Sequence, residues 1–162
     1  MDKRMLVEQL AERLRESAAV ARKAGQAAAV EAREGATPAE KREDARVALE
    51  QGSLARGQAD RAARAAAELS TLAIFRPTTL KPGGPISLGA VVEVEDEAQG
   101  RTFFLAPVGA GIELAGPGGD GFLSVVTPQS PVGRAVLGRR VGDTIEVLIQ
   151  GEPREWTITF VA

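Results

Sequence analysis

The stretch RPTTLKPGGP, Arg76 to Pro85, places three prolines and two glycines in ten residues. Neither a helix interior nor a central strand accommodates that density of breakers, so residues 76–86 read as a linker. The chain changes character across it. Upstream, from Arg4 to Glu34, there is no proline and Gly25 is the only glycine, while Leu6, Leu10 and Leu14 recur every fourth residue and Ala18 and Ala21 extend the same face. That spacing predicts an amphipathic helix. A second run from Pro38 to about Leu72 embeds Val47, Leu54, Leu69 and Leu72 in alanines and alternating charges. Two long helices joined by so few residues must fold back on each other, which makes residues 1–75 an antiparallel helical hairpin, a coiled-coil finger with arms of roughly 45 Å at about 1.5 Å per residue. Its seam is mostly alanine, so it buries little area per turn. Gly52 and Gly57 mark either a bend or close packing, each weakening the second helix by about 1 kcal/mol relative to alanine.

Downstream of the linker the period becomes two. AVVEVED, RTFFLAPV, GIELAG, FLSVVT, DTIEVLI and REWTITFV alternate apolar and polar residues between glycine-rich turns, and SPVGRAVLG interrupts them with a short helical pattern. Residues 87–162 therefore read as a small antiparallel β-sheet domain with one helix against it, and the whole chain as α+β.

The composition narrows the chemistry. The chain has neither cysteine nor histidine, which removes disulfides, thiol nucleophiles, imidazole bases and the usual zinc ligands. A net charge of −2 argues against broad nonspecific binding to nucleic acid, which needs a basic face for the phosphates. The charged amino terminus lacks the apolar stretch of a secretory signal, and no apolar run is long enough to span a bilayer, so a cytoplasmic location is expected. With no nucleophile paired to a base, the chain is not expected to be an enzyme on its own.

SPVGRAVLGRRVGDTIEV, Ser130 to Val147, has a local structural meaning. Ser130 suits a helix cap, Pro131 the first turn, Gly138 a left-handed terminus, and Gly142 with Asp143 a turn into the final hairpin. The segment also resembles the carboxy-terminal domain of the Gre family of bacterial transcript cleavage factors, which carries a serine-proline pair, a glycine-arginine-alanine helix, a glycine turn and a glycine-aspartate turn in this order. VVTPQ before it, REWTITFV after it and ISLGAVVEVED at the start of the domain fit the same layout. The resemblance implies an amino-terminal helical hairpin followed by a globular domain like that of FK506-binding proteins. It implies a transcription elongation factor of the GreA/GreB kind that binds RNA polymerase at its secondary channel and modulates cleavage of backtracked RNA through the hairpin tip. On that reading nucleic acid is met only within the elongation complex, no membrane is involved, and the factor works as a monomer. Arg134, Arg139 and Arg140, which the scaffold does not require, become candidates for contact with an acidic patch on the partner.

In the family the tip carries an aspartate followed three residues later by a glutamate. Here the matching stretch is Thr37-Pro38-Ala39-Glu40. By resemblance Glu40, with Glu43 and Asp44, would help hold a second magnesium ion of the polymerase, since hard cations prefer carboxylate oxygens. The chain would have no cofactor of its own. Thr37 to Glu40 also spells a capping box with proline at the first helical position, and Lys41, Arg42 and Arg46 can pair with Glu43 and Asp44 along the helix. With threonine where the aspartate belongs, two alternatives stand beside cleavage stimulation: a channel-occupying regulator or inhibitor, and a self-associating helical adaptor whose alanine seam packs into a bundle. A prolyl isomerase is a weaker fit, because Phe103, Phe104, Phe122, Trp156 and Phe160 are few and partly needed for the core.

Overall fold

A computed structural model describes residues 1–34, 41–119 and 121–162, and the side chains of residues 1–31, 45–119 and 121–162. Helix α1 runs Arg4–Glu34 and helix α2 Lys41–Ile74. They are followed by β1 (Val91–Glu95), β2 (Gly100–Leu105), β3 (Glu113–Ala115), β4 (Phe122–Val126), α3 (Pro131–Val136), β5 (Thr144–Ile149) and β6 (Glu152–Val161). All six segments with a period of two are strands, and SPVGRAVLG supplies the one short helix. No described helix is long and apolar enough to cross a membrane.

Contacts divide the chain into two compact units. One joins Met1–Ala11 to Thr71–Ala162, and the other is Glu12–Ser70. Within Glu12–Ser70 the two helices run antiparallel. A Cβ on Gly25 would sit 3.4 Å from Cβ of Gln58, and further along Gln51 donates to Glu31 at 3.1 Å, so the α2 partner falls in number as the α1 residue rises. The close approach is at Gly25. Among the described residues nothing lies within 4 Å of a Cβ built on Gly52 or Gly57. Leu14, Ala18, Ala21 and Ala65 are buried, but Val47 and Leu54 are 49% and 62% exposed, contrary to the apolar face expected of α2. An alanine seam explains this, because small side chains meet near the axis and leave longer ones outside the contact. The ion pairs Arg13–Glu16, Arg15–Glu12 and Arg46–Glu50 are all on exposed side chains and contribute little.

In the other unit the strand order is β3-β4-β2-β1-β6-β5. Four of the five pairings are antiparallel, as expected, but β2 and β4 pair in parallel, with Phe103 against Ser124 and Leu105 against Val126. The sheet is therefore mixed. The chain leaves β2, skips one strand position to form β3 at the edge, and the β3–β4 hairpin then places β4 in the gap beside β2. The β5–β6 hairpin closes through Gln150 and Gly151, both at positive φ (53° and 84°), the two-residue turn whose twist matches that of the strands.

One face of the sheet holds the core of Val92, Val94, Phe103, Leu105, Val126, Ile145, Val147, Trp156 and Ile158, over which α3 lays Val136. Trp156 is 2% exposed. It stacks at a tilt on Phe103, lies 5.5 Å beneath the Arg101 guanidinium and donates from Nε1 to Asp96 at 3.2 Å. Asp96 also accepts from the backbone N–H groups of Ala98 and Gln99, and these donors hold its carboxyl below the usual range. On the other face Val91, Phe104, Leu114, Leu123 and Val125 are buried too. The first turns of α1 lie on this side. Gln9 exchanges two hydrogen bonds with the Ala115 backbone, at 2.9 and 3.2 Å, while Leu6 and Leu10 are fully buried. Lys3 donates to the Thr78 carbonyl at 3.0 Å, and its burial pulls its pKa below the ordinary lysine value.

Candidate docking surface and hairpin tip

The α3 segment is built around two backbone-level constraints. Ser130 has extended geometry (φ −69°, ψ 154°), and its Oγ accepts from Gly133 N–H at 3.1 Å and from Thr127 N–H at 3.2 Å while donating to the Thr127 carbonyl at 2.8 Å. One hydroxyl therefore satisfies both the helix start and the end of the incoming loop, and Pro131 follows where a missing N–H costs nothing. Ser130→Ala is expected to lower stability by about 1–2 kcal/mol, because these partners then lose their bonds in a part-buried site; urea titration with an unchanged m-value checks it. The second constraint is Gly133. A Cβ there would lie 1.8 Å from the Thr127 carbonyl oxygen, so the loop packs directly on the helix backbone.

Beyond α3, Gly138 takes φ +79° and donates to the Ile86 carbonyl at 2.8 Å, while Ile86 N–H donates to the Arg139 carbonyl at 2.7 Å. The helix terminus and the end of the linker are thus clasped by a reciprocal pair of bonds. Gly142 follows at φ +91°, and Asp143 Oδ2 accepts from Arg140 N–H at 2.9 Å, which forms the turn into β5.

The three candidate arginines do not share one role. Arg134 and Arg139 have exposed side chains, and among the described residues no carboxylate pairs with either. The Arg140 guanidinium donates to the Gly83 carbonyl, so this side chain anchors the linker turn. That role was invisible in sequence because its partner is a backbone oxygen far away in the chain. The glycine of the GRA helix was likewise missed, although a glycine inside a six-residue helix is itself a signal of close backbone approach. Of the tip carboxylates, Glu40 lies outside the described residues, as do Thr37 and the side chains of Glu43 and Asp44, whose backbone belongs to α2. Among the described residues no group of three or more carboxylates is placed to hold a metal.

The family model for the carboxy-terminal domain of the transcription elongation factors GreA and GreB matches residues 81–162, 82 of the 162 in the chain. The chain belongs to the GreA/GreB family. The GreA transcription elongation factor of Methylococcus capsulatus is 36% identical over 95 residues, covering 59% of this chain and 56% of that protein. That of Polaromonas naphthalenivorans is 33% identical over 94 residues, covering 58% and 56%. The match thus spans little more than half the length of these relatives. Among solved structures, Gfh1 of Thermus aquaticus is matched over 93% of this chain and 92% of its own at 23% identity, with a TM-score of 0.41. The GreA/GreB match includes the whole capped helix, the clasp between Gly138, Arg139 and Ile86, and all three arginines. It does not include the hairpin.

Proposed function

We propose that this protein is a Gre-type transcription elongation factor that binds RNA polymerase at the secondary channel and modulates cleavage of backtracked RNA through the tip of its hairpin. The observation that carries this reading is the family match over 81–162, joined in the same chain to an antiparallel hairpin of 31- and 34-residue helices. The globular domain would dock through the surface around α3, with Arg134 and Arg139 offering free positive charge to an acidic patch. The factor would not be an enzyme itself. Glu40, Glu43 and Asp44 supply the oxygen donors that magnesium favours, to be lent to the polymerase, whose metal does the chemistry. The protein would act as a monomer, and a stable oligomer in sedimentation would favour the adaptor reading instead.

Threonine at position 37, where the family's tip aspartate is expected, favours a second reading: a factor that occupies the channel without stimulating cleavage. Both readings predict competition with a cleavage-competent GreA for core polymerase, and absence of competition at high concentration would sink both. RNA cleavage by backtracked polymerase separates them. Stimulation that falls at least about tenfold in Glu40→Ala makes Glu40 a metal-positioning residue. Suppression of GreA-stimulated cleavage, unchanged in the variant, makes the protein a channel-occupying regulator and Glu40 a helix cap.

A further inference from the structure

In the half of the sheet made by β1, β6 and β5 one face lies on the core, and the other, beyond the buried Val91 at the start of β1, is bare. The bare face carries Glu93 and Glu95 of β1, Glu155 and Thr157 of β6, and Thr144, Glu146 and Leu148 of β5, every one of them exposed. The pairing register fixes the layout. Glu95 stands beside Thr157, Glu146 stands directly opposite Glu155, and Leu148 lies opposite Pro153.

Two features of this face work against stability. Like charges opposite each other on neighbouring strands repel, and no lysine or arginine on the face intervenes. Among the described residues none of the four glutamates forms an ion pair. The second feature is a bulge. Between Glu93 and Val94 the register on β6 jumps from Phe160 to Ile158, so Thr159 is the extra residue. Without it, Phe160 would follow Trp156 and Ile158 onto the core face. With it, Phe160 stands beside Glu93 on the bare face at 40% exposure, with Leu148 at 63% towards the far corner. Bulges re-aim side chains, and this one turns an aromatic ring out of the core into a field of carboxylates.

We infer that this face is a docking site for a basic, amphipathic segment of a protein partner, whose lysines and arginines meet Glu93, Glu95, Glu146 and Glu155 while its apolar side chains cover Phe160 and Leu148. Charge complementarity selects the occupant. Nucleic acid and acidic peptides are repelled, a purely apolar segment leaves four carboxylates stranded, and a guanidinium can stack on the Phe160 ring while pairing with Glu93. The site lies on the face of the sheet opposite the one that α3 covers and carries the opposite charge to the α3 arginines, so it is separate from the polymerase contact proposed above.

The test needs no polymerase, so its failure leaves that reading untouched. A labelled peptide of repeated Arg-Leu-Lys units is titrated with the full chain and followed by fluorescence anisotropy. Binding is expected, weakening with salt, and a loss of about tenfold or more is expected when all four glutamates become glutamine. Leu148→Ser and Phe160→Ser are each expected to weaken binding, while changing Glu12, Glu16, Glu50 and Glu68 of the hairpin to glutamine leaves it intact. An equal loss in the hairpin variant would reduce the effect to net charge and overturn the proposal, as would undiminished binding in both serine variants. Thermal melting is an independent readout: Glu146→Gln is expected to raise Tm by relieving its repulsion with Glu155. A lowered Tm would make the glutamate structural and the inference wrong.

Discussion

Alanine at position 133 is expected to prevent the carboxy-terminal domain from reaching its native packing. The added methyl carbon would lie 1.8 Å from the Thr127 carbonyl oxygen and 2.7 Å from its carbonyl carbon, both of them backbone atoms that cannot swing aside. Relief requires separating the 127–130 loop from α3. That movement breaks the bond from Gly133 N–H to the Ser130 hydroxyl and draws Val136 out of the core, where it is completely buried. Overpacking of well-packed sites ordinarily costs about 1–3 kcal/mol, and an unyielding backbone contact belongs above that range, so a loss of more than about 3 kcal/mol is expected. For a marginally stable domain this amounts to a large population of unfolded molecules. Near-ultraviolet circular dichroism of the Trp156 environment, with urea titration, reads it directly. A Gly133→Ala protein that melts within a degree of the parent would show that the loop does not rest on the helix.

Leu10→Ala is expected to cost about 2–5 kcal/mol, the range for deleting a large side chain from a core that cannot collapse. Leu10 is fully buried, and one of its methyl groups lies 2.6 Å from where a Cβ on Gly109 would stand, so it fills space that glycine leaves open against the loop between β2 and β3. Gly109 has φ +85°, and a substituent there would be strained as well as crowded. The loss should be local at first: amides from Met1 to Ala11 and around Ala115 should exchange faster with solvent, because the Gln9–Ala115 bonds depend on the same contact. Val20→Ala, at a position 69% exposed on the same helix, should change stability by less than about 0.5 kcal/mol. Equal costs at the two positions would refute the packing described for Leu10.

Much of this architecture was legible in the residues because local periodicity carried it. Six runs with a period of two became six strands, the 3.6-residue run from Arg4 gave a helix ending at Glu34, and Ser130, Pro131 and Gly138 perform the capping and turning roles their chemistry suggests. What escaped was non-local. Nothing in FLSVV says that it pairs in parallel with GRTFFL, since pairing partner is a property of the connection and not of the strand. The bulge at Thr159 inverts the facing of Phe160, which simple alternation assigns to the core. Val47 and Leu54 sit at helical spacing but outside the contact, because the alanines between the helices decide how near the axes come. The candidate site divides in the same way. Ser130 and its turn could be read locally, whereas Arg140 proved to be tied to Gly83. The roles proposed for Glu40, Glu43 and Asp44 come from a resemblance at the hairpin tip, where Thr37 stands in the place expected of the aspartate.

The unit that joins Met1–Ala11 to Thr71–Ala162 has a consequence for the order in which the protein is made. Residues Met1–Ala11 leave the ribosome before any of β1 to β6, and their partners, Ala115 among them, are synthesised only after the entire Glu12–Ser70 segment. At about 5–20 residues per second, the interval is several seconds, whereas helix formation takes microseconds. The hairpin can therefore be complete while Leu6 and Leu10 still face water, and they stay so until the sheet arrives. Nascent chains stalled between Ile74 and Val91 would expose these leucines to chaperones, and full-length chains would withdraw them.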